Sequence, residues 1–292
     1  MAFFDHVVNI YTGYAKYLWG TISDPFRYDN YFYYLIYVSL AVWILELMLP
    51  WRKNQSIFRK DFWLDAFWMF FNFFIFNLII YIALSSVTEE YFGKMMQAIG
   101  LPKKGLIDLS GLSLWIQFPI YFILADFVQW SVHVMLHRVP WLWKFHKVHH
   151  SVREMGFAAH LRYHFMETFV YKTALYIFMA WVLNFKLEYA FFMHAFTILV
   201  GHLNHANVGW DYGPLKYILN NPKMHIWHHA KHMPSKHPYG INFGITLSIW
   251  DYLFKTDHIP HSGRDIELGF EGIETYPEGF FELQIKPFKD RE

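Results

Sequence analysis

The sequence predicts an all-α integral membrane protein, with four to five transmembrane or re-entrant helices and a cytoplasmic, histidine-rich cap. Composition is the first reason: 55% of the residues are hydrophobic, 22% are aromatic and only 17% are charged, whereas soluble domains carry about 25% charged residues. The second reason is that apolar residues fall in runs long enough to cross the hydrocarbon core of a bilayer. Aromatic residues in this number are typical of the belts at membrane interfaces.

The chain is expected to form a single membrane-embedded domain with three consecutive parts. Residues 1–30 would form an interfacial segment, residues 31–205 the membrane helices with the first histidine clusters, and residues 206–292 the cap and tail. The apolar start of the chain lacks a basic region and a small-residue cleavage site. We therefore expect it to lie along the membrane surface.

Five apolar segments are candidates for membrane helices. Three are long enough to span the bilayer, namely residues 31–50, 65–87 and 112–136. Residues 169–185 and 189–203 are shorter, so we interpret them as a hairpin that enters the membrane and returns. Glu46 is the one charged residue near the end of the first span.

The orientation follows from the basic residues after the first span. Arg52, Lys53, Arg59 and Lys60 lie in this connection, which predicts a cytoplasmic position by the positive-inside rule. The third span and the hairpin return to the same side, so all the histidine clusters should converge there. The lack of cysteine, of a fused haem domain and of a terminal retention signal favours a bacterial inner membrane over the endoplasmic reticulum. No basic run indicates nucleic acid as a partner.

Histidine clusters are the most informative motif. One HxxxH pair, His133 and His137, precedes an HxxHH pattern that begins at His146 and recurs at His225. With 18 histidines in 292 residues, chance predicts about 0.07 occurrences of HxxHH. Residues three or four apart share a helix face, and neutral imidazole is a common metal ligand. These clusters therefore predict a metal site.

The number of candidate ligands indicates two metals, because one metal takes only four to six ligands. The chain has no cysteine, so nitrogen and oxygen must hold the metals. A thiolate-free site with open positions suits iron and O₂, although zinc could replace iron in purified protein. The candidate ligands are His133, His137, His146, His149, His150, His164, His202, His205, His225, His228 and His229.

Polar residues near these clusters could orient the imidazoles. Asp126 lies in an apolar span, where burying a carboxylate costs free energy. Asp126 is therefore a functional candidate. We interpret it as an acceptor for a ligand N–H. Glu167, Asn207 and Asp251 are further candidates for this supporting role.

Residues 110–256 resemble the fatty acid hydroxylase / sterol desaturase superfamily of integral-membrane, non-haem di-iron enzymes. The HxxxH and HxxHH boxes carry the resemblance, together with HLNH at 202–205, NFG at 242–244 and WDYLF at 250–254. LRYHFME at 161–167 is similar to a family segment that usually contains proline. The acidic residue that often precedes NFG in the family is replaced around Tyr239 and Gly240.

The resemblance implies that the boxes hold two irons and that O₂ is used to hydroxylate a C–H bond of a membrane lipid. The substrate would be a sterol, a fatty acyl chain, an ether lipid or a related lipid. The sequence contains no HPGG haem motif. An external electron donor of the ferredoxin, cytochrome b5 or reductase type is therefore implied.

Two other functions remain open at this point. A desaturase of the same superfamily would use the same site to remove two hydrogens. A transition-metal transporter would instead place its ligands along a path at the bilayer midplane. The histidines gather at helix ends on one predicted face, which favours an enzyme.

Overall fold

The protein is described by a computed structural model that covers residues 2–26, 30–74, 93–100, 107–109, 111–176, 178 and 190–290. The α-helices that concern the site and its supports are α1 (Ala2–Ser23), α2 (Tyr31–Met48), α3 (Phe62–Phe70), α4 (Leu114–Arg138), α5 (Pro140–His150), α6 (Phe165–Tyr176), α7 (Ala190–His205), α8 (Pro222–His228), α9 (Ile249–Phe254) and α10 (Phe280–Lys289). Short 3₁₀ helices cover Phe157–Leu161, Gly213–Tyr217 and Ile273–Thr275. No β-strand occurs within these ranges, which confirms the predicted all-helical class.

Helices α2 and α4 are long and apolar enough to cross a membrane. They correspond to the first and third predicted spans. Asn30 is the N-terminal cap of α2, because its side chain accepts a hydrogen bond from the Tyr33 backbone N–H at 3.3 Å. The helix ends at Met48, two residues before Pro50, which lacks the N–H that a longer helix would need.

The other predicted membrane segments are described only in part. Helix α3 covers the start of the second predicted span, and residues 75–87 of that span lie outside the described residues. Helices α6 and α7 cover the two ends of the predicted hairpin, and most of its centre also lies outside them. The number of spans and their orientation therefore stay predictions.

The cap is assembled where helices α4, α5, α7 and α8 meet. A sharp bend at Val139 separates α4 from α5, and Pro140 occupies the first turn of α5, where its missing N–H costs nothing. Helix α5 packs back against α4, and α7 packs against α2, α8 and the 3₁₀ helix at Phe157–Leu161. These contacts bring together segments that are up to about 160 residues apart in the chain.

A buried cluster of charged side chains joins α3 to the loop that follows α5. The Asp65 carboxylate accepts from the Arg59 guanidinium and from Arg162 Nε, the latter at 2.5 Å. A second carboxylate, that of Asp61, lies 3.2 Å from Arg162 Nη2. Arg162 matters for the site because its backbone carbonyl contacts His149.

We predict that Asp65→Asn destabilises the protein by about 3–5 kcal/mol, because it leaves two buried guanidiniums without their shared carboxylate. Thermal unfolding in detergent measures the effect. Asp265→Asn is the control: its side chain is 75% exposed, so a change within about 0.5 kcal/mol is expected. Equal shifts in the two variants would contradict a structural role for the buried cluster.

Candidate metal centre

Nine of the predicted histidines form two buried groups. Within each group the candidate ligand atoms lie within 4.8 Å of one another. The first group contains His133, His137, His146, His150 and His228. The second group contains His149, His205, His225 and His229.

Helical periodicity divides each HxxHH box between the two groups. Successive residues of an α-helix are rotated by about 100°, so i and i+4 share a face while i+3 is turned away from i+4. In α5, His146 and His150 therefore join the first group and His149 joins the second. In the α8 box, His228 joins the first group, while His225 and His229, which are four residues apart, join the second.

Backbone carbonyls determine the tautomers of two imidazoles in the first group. The Nδ1 atom of His133 lies 2.7 Å from the Phe243 carbonyl oxygen, and that of His228 lies 2.7 Å from the Ile241 oxygen. A carbonyl oxygen can only accept, so Nδ1 carries the hydrogen on both rings and Nε2 keeps a lone pair. The Nε2 atom of His228 is buried without a hydrogen-bond partner among the described residues.

The second group shows the same arrangement. The Nδ1 atom of His205 donates to the Gly201 carbonyl oxygen at 2.8 Å, and that of His149 lies 3.3 Å from the Arg162 oxygen. Both Nε2 atoms therefore present lone pairs, and they face each other at 3.4 Å. His225 Nε2 lies 3.0 Å from His205 Nε2. The lone pairs of His149 and His205 repel each other at 3.4 Å unless a cation accepts them.

The distances between nitrogens fit metal ligation. Metal–nitrogen bonds of about 2.0–2.1 Å, separated by octahedral or tetrahedral angles, place two ligand nitrogens about 2.9–3.4 Å apart. The first group has His133 Nε2 and His146 Nε2 at 3.1 Å. In the second group the observed pairs range from 3.0 to 3.4 Å. The residues of both groups therefore fit a metal ion.

Burial keeps these rings in the neutral form that a metal requires. The charged form is poorly solvated in the interior, and neighbouring imidazoles disfavour it further. These causes hold the pKa well below the ordinary 6.5 for His146, His149, His150, His225, His228 and His229.

Two of the predicted supporting carboxylates lie where they orient the first group. Glu167 Oε2 lies 2.6 Å from His146 Nδ1, an arrangement that fixes an imidazole ligand from behind. Asp251 acts through the backbone. Its carboxylate accepts from the N–H groups of Phe243 and Gly244 at 2.9 and 2.7 Å, which holds the turn whose carbonyl contacts His133.

The other two predicted supporting residues have different contacts. Asp126 accepts from the Leu247 N–H and the Trp250 indole, so it fastens α4 to the start of α9 and the expected hydrogen bond to a ligand is not its observed contact. Asn207 bonds the backbone of Arg52 through its side chain at 2.9 and 3.2 Å. It ties the end of α7 to the loop after α2.

Glu46 has a structural role that sequence analysis missed. Its Oε1 atom accepts from the backbone N–H groups of Phe157 and Asn207 at 2.8 and 2.7 Å. Phe157 begins the first 3₁₀ helix, and Asn207 follows His205 by two residues. One carboxylate in α2 therefore links two segments beside the second group. The sequence signal for this role was the single charged residue, Glu46, in an otherwise apolar predicted span.

His164 and His202 are predicted ligands that lie outside both groups. The His164 ring accepts from the Met166 N–H through Nδ1, and its Nε2 lies 2.9 Å from the Gln284 carbonyl oxygen. Both of its nitrogens are thus engaged by backbone. His202 contacts Ser39 Oγ at 2.9 Å and His160 Nδ1 at 2.8 Å.

Two glycines allow the close packing around the histidines. A Cβ at Gly201 would lie 2.1 Å from His160 Cε1. Gly240 has a φ of +126°, and its Cβ would lie 2.9 Å from His137 Nδ1. A side chain at either position would displace an imidazole.

Comparison with known proteins identifies the region that contains the boxes. Residues 118–256 match the sequence profile of the family described as fatty acid hydroxylase. The chain is 32% identical over 166 residues to the ornithine lipid hydroxylase OlsE of Rhizobium tropici, an alignment covering 57% of this chain and 48% of that protein. It is 32% identical over 162 residues to the alkylglycerol monooxygenase of Xenopus tropicalis, covering 52% of this chain and 32% of that protein.

The human alkylglycerol monooxygenase is also similar, with 29% identity over 143 residues, 46% of this chain and 29% of that protein. The chain therefore spans about half the length of the first relative and about a third of the others. No solved structure matches the chain.

We predict that His149→Ala and His228→Ala each lower the metal content of the purified protein, because each removes a nitrogen from one group. The metal content per chain in detergent measures the effect. His232→Ala is the control: its side chain is 79% exposed and outside both groups, so its metal content should equal that of the wild type. Unchanged content in the two box variants would contradict the ligand assignment.

We also predict that stability falls on acidification below about pH 6.5. The unfolded chain takes up protons at its histidines near that pH, whereas the folded chain keeps them neutral. Stability is therefore fully present above the unfolded pKa and declines as the pH falls towards the lower folded values. Thermal unfolding midpoints from about pH 8 to about pH 5 measure the trend. A midpoint that is constant or rises on acidification would contradict it.

Proposed function

Since the chain belongs to the fatty acid hydroxylase family through residues 118–256, we propose that it is an O₂-dependent di-iron monooxygenase that hydroxylates a C–H bond of a membrane lipid. The observation that carries this proposal is the pair of buried histidine groups in which imidazole Nε2 atoms face one another at 3.0–3.4 Å. Both groups lie in the matched region.

The nine histidines of the two groups are the proposed metal ligands. Two irons bound there would supply the activation of O₂ for attack on an unactivated C–H bond. The reaction consumes O₂, two electrons and two protons, and it yields the hydroxylated lipid and water. Iron is favoured over zinc because zinc has no redox chemistry, although zinc could occupy the same nitrogens in purified protein.

The residues around the groups hold the imidazoles in the required state. The carbonyls of Phe243, Ile241 and Gly201 keep the hydrogen on Nδ1, so that Nε2 of each ring would be free to bind a metal. Glu167 positions His146 in the same manner. Burial keeps the rings neutral, and it would also keep water away from the reacting centre.

The names of the relatives favour hydroxylation over desaturation. The bacterial relative is called an ornithine lipid hydroxylase and the vertebrate relatives are called alkylglycerol monooxygenases. Both names describe insertion of oxygen into a lipid, so we propose a lipid with a polar headgroup as the substrate class. A metal transporter is disfavoured because the two groups are enclosed at helix ends, and no path of ligands along a span is present among the described residues.

The setting proposed for this activity is a bacterial inner membrane, with the histidine boxes on the cytoplasmic face. Two apolar helices and lipid-modifying relatives support a membrane protein. The basic loop at Arg52 and Lys53 supports the orientation. One domain over residues 1–292, with an external electron donor, completes the proposal.

We predict that cells expressing the protein accumulate a lipid heavier by one oxygen, and that the added oxygen carries the label when the cells grow under ¹⁸O₂. Mass spectrometry of total lipid extracts measures both. His228→Ala, expressed at an equal level in the membrane, should lack the product. A product lighter by two hydrogens would establish a desaturase instead. Metal uptake into proteoliposomes without any lipid product would overturn the oxygenase.

A further inference from the structure

A cavity of about 480 Å³ lies on the cap, separate from the two histidine groups. Most of its lining comes from the loop that follows α2, the loop that follows the first HxxHH box and the segment around residues 264–268. Ile226, the neighbour of His225 in α8, lies in its lining. The volume is in the range of small-ligand sites.

The lining of this cavity is positively charged. It contains four cationic side chains, those of Arg52, Lys53, Arg153 and Arg264, and two carboxylates, those of Glu154 and Asp265. The cavity is therefore suited to an anion.

The two carboxylates of the lining balance only part of the charge of its four cations. Glu154 accepts from the Lys60 backbone N–H at 2.9 Å. Asp265 pairs with its neighbour Arg264 at 3.0 Å, and both side chains are more than half exposed. Arg153 pairs with Glu278, which is outside the lining.

Arg52 is the most constrained cation of the cavity. Its Nε atom donates to Gln55 Oε1 at 2.9 Å and its Nη2 atom donates to the Met155 carbonyl at 2.8 Å. The Nη1 atom is buried and has no hydrogen-bond partner among the described residues. Burial lowers the pKa of Arg52 to about 10, so the guanidinium is charged at neutral pH. A fixed guanidinium with one unpartnered nitrogen is suited to a phosphate oxygen.

The position of the cavity favours a membrane source for the anion. Arg52 follows the apolar helix α2, which ends at Met48, so the cavity lies at the level where lipid headgroups begin. Trp51 lies in the lining beside Arg52, and tryptophan is typical of this interface. Basic pockets at the ends of membrane helices bind anionic lipid headgroups.

We propose that this cavity binds the phosphate-bearing headgroup of a membrane phospholipid, with Arg52, Lys53 and Arg264 as the cations that hold the phosphate. The site is independent of the metal groups. It anchors a lipid beside the helix that carries the last histidine box.

Native mass spectrometry of the full chain in detergent tests this proposal by counting bound lipids during a titration with dimyristoyl phosphatidylglycerol. One tightly bound lipid is expected. Dimyristoylglycerol, which has the same chains and no phosphate, should bind at least about tenfold more weakly. Equal binding of the two lipids would overturn the proposal. Inorganic phosphate that competes as strongly as the lipid binds would replace it with a soluble-anion site.

The double variant Lys53→Gln, Arg264→Gln locates the site, because both side chains are exposed and their loss should not disturb folding. It should weaken binding about tenfold, and Arg52→Gln should weaken it as well. Lys236→Gln removes an exposed cation outside the cavity and should bind as the wild type does. Wild-type binding by the double variant would overturn the assignment.

The same titration with His149→Ala separates this site from the metal chemistry. Lipid binding should persist in that variant even if its metal content falls. Loss of lipid binding together with the metal would show that the cavity depends on the metal groups, and would overturn their independence.

Discussion

The packing of nine neutral imidazoles into a closed volume is the constraint on which the rest of this structure depends. A neutral ring presents a lone pair inwards when its other nitrogen carries the hydrogen, and an acceptor outside the group stabilises that tautomer. Backbone carbonyls of Phe243, Ile241, Gly201 and Arg162 supply that acceptor for four of the rings. Because these carbonyls come from three separate segments, the loops of the cap must be held as rigidly as the helices.

Buried carboxylates provide that rigidity. Asp251 holds the turn that carries the Phe243 carbonyl, Glu46 joins the segments on either side of the second group, and Asp65 fixes Arg162. Each is expensive to bury alone. Their hydrogen bonds offset this desolvation cost, and they also hold the backbone segments in defined positions. The same reasoning explains why Asp126 supports the site only at a distance, through Leu247 and Trp250.

Features that depend on local spacing are predictable from the sequence. The all-helical class and the limits of α2 and α4 follow from the length and period of apolar runs, and the boxes follow from the helical repeat. The sequence does not show which histidines bind other partners in the folded chain. His164 and His202 have the right residue type near the boxes, but the Gln284 carbonyl and Ser39 engage them. Those partners come from remote parts of the chain, so spacing holds no information about them.

By itself, the sequence determined the inventory of the site: histidine without cysteine, boxes on helices, and apolar segments to carry them, because each is a property of composition or of a few consecutive residues. Only the tertiary structure decided how the histidines are divided between the two groups. His149 and His150 are neighbours in the chain, yet they belong to different groups, because about 100° of helical rotation separates them and the helices that meet each face come from elsewhere. The role of Glu46 and the basic cavity around Arg52 have the same origin, since both require segments that are brought together only on folding.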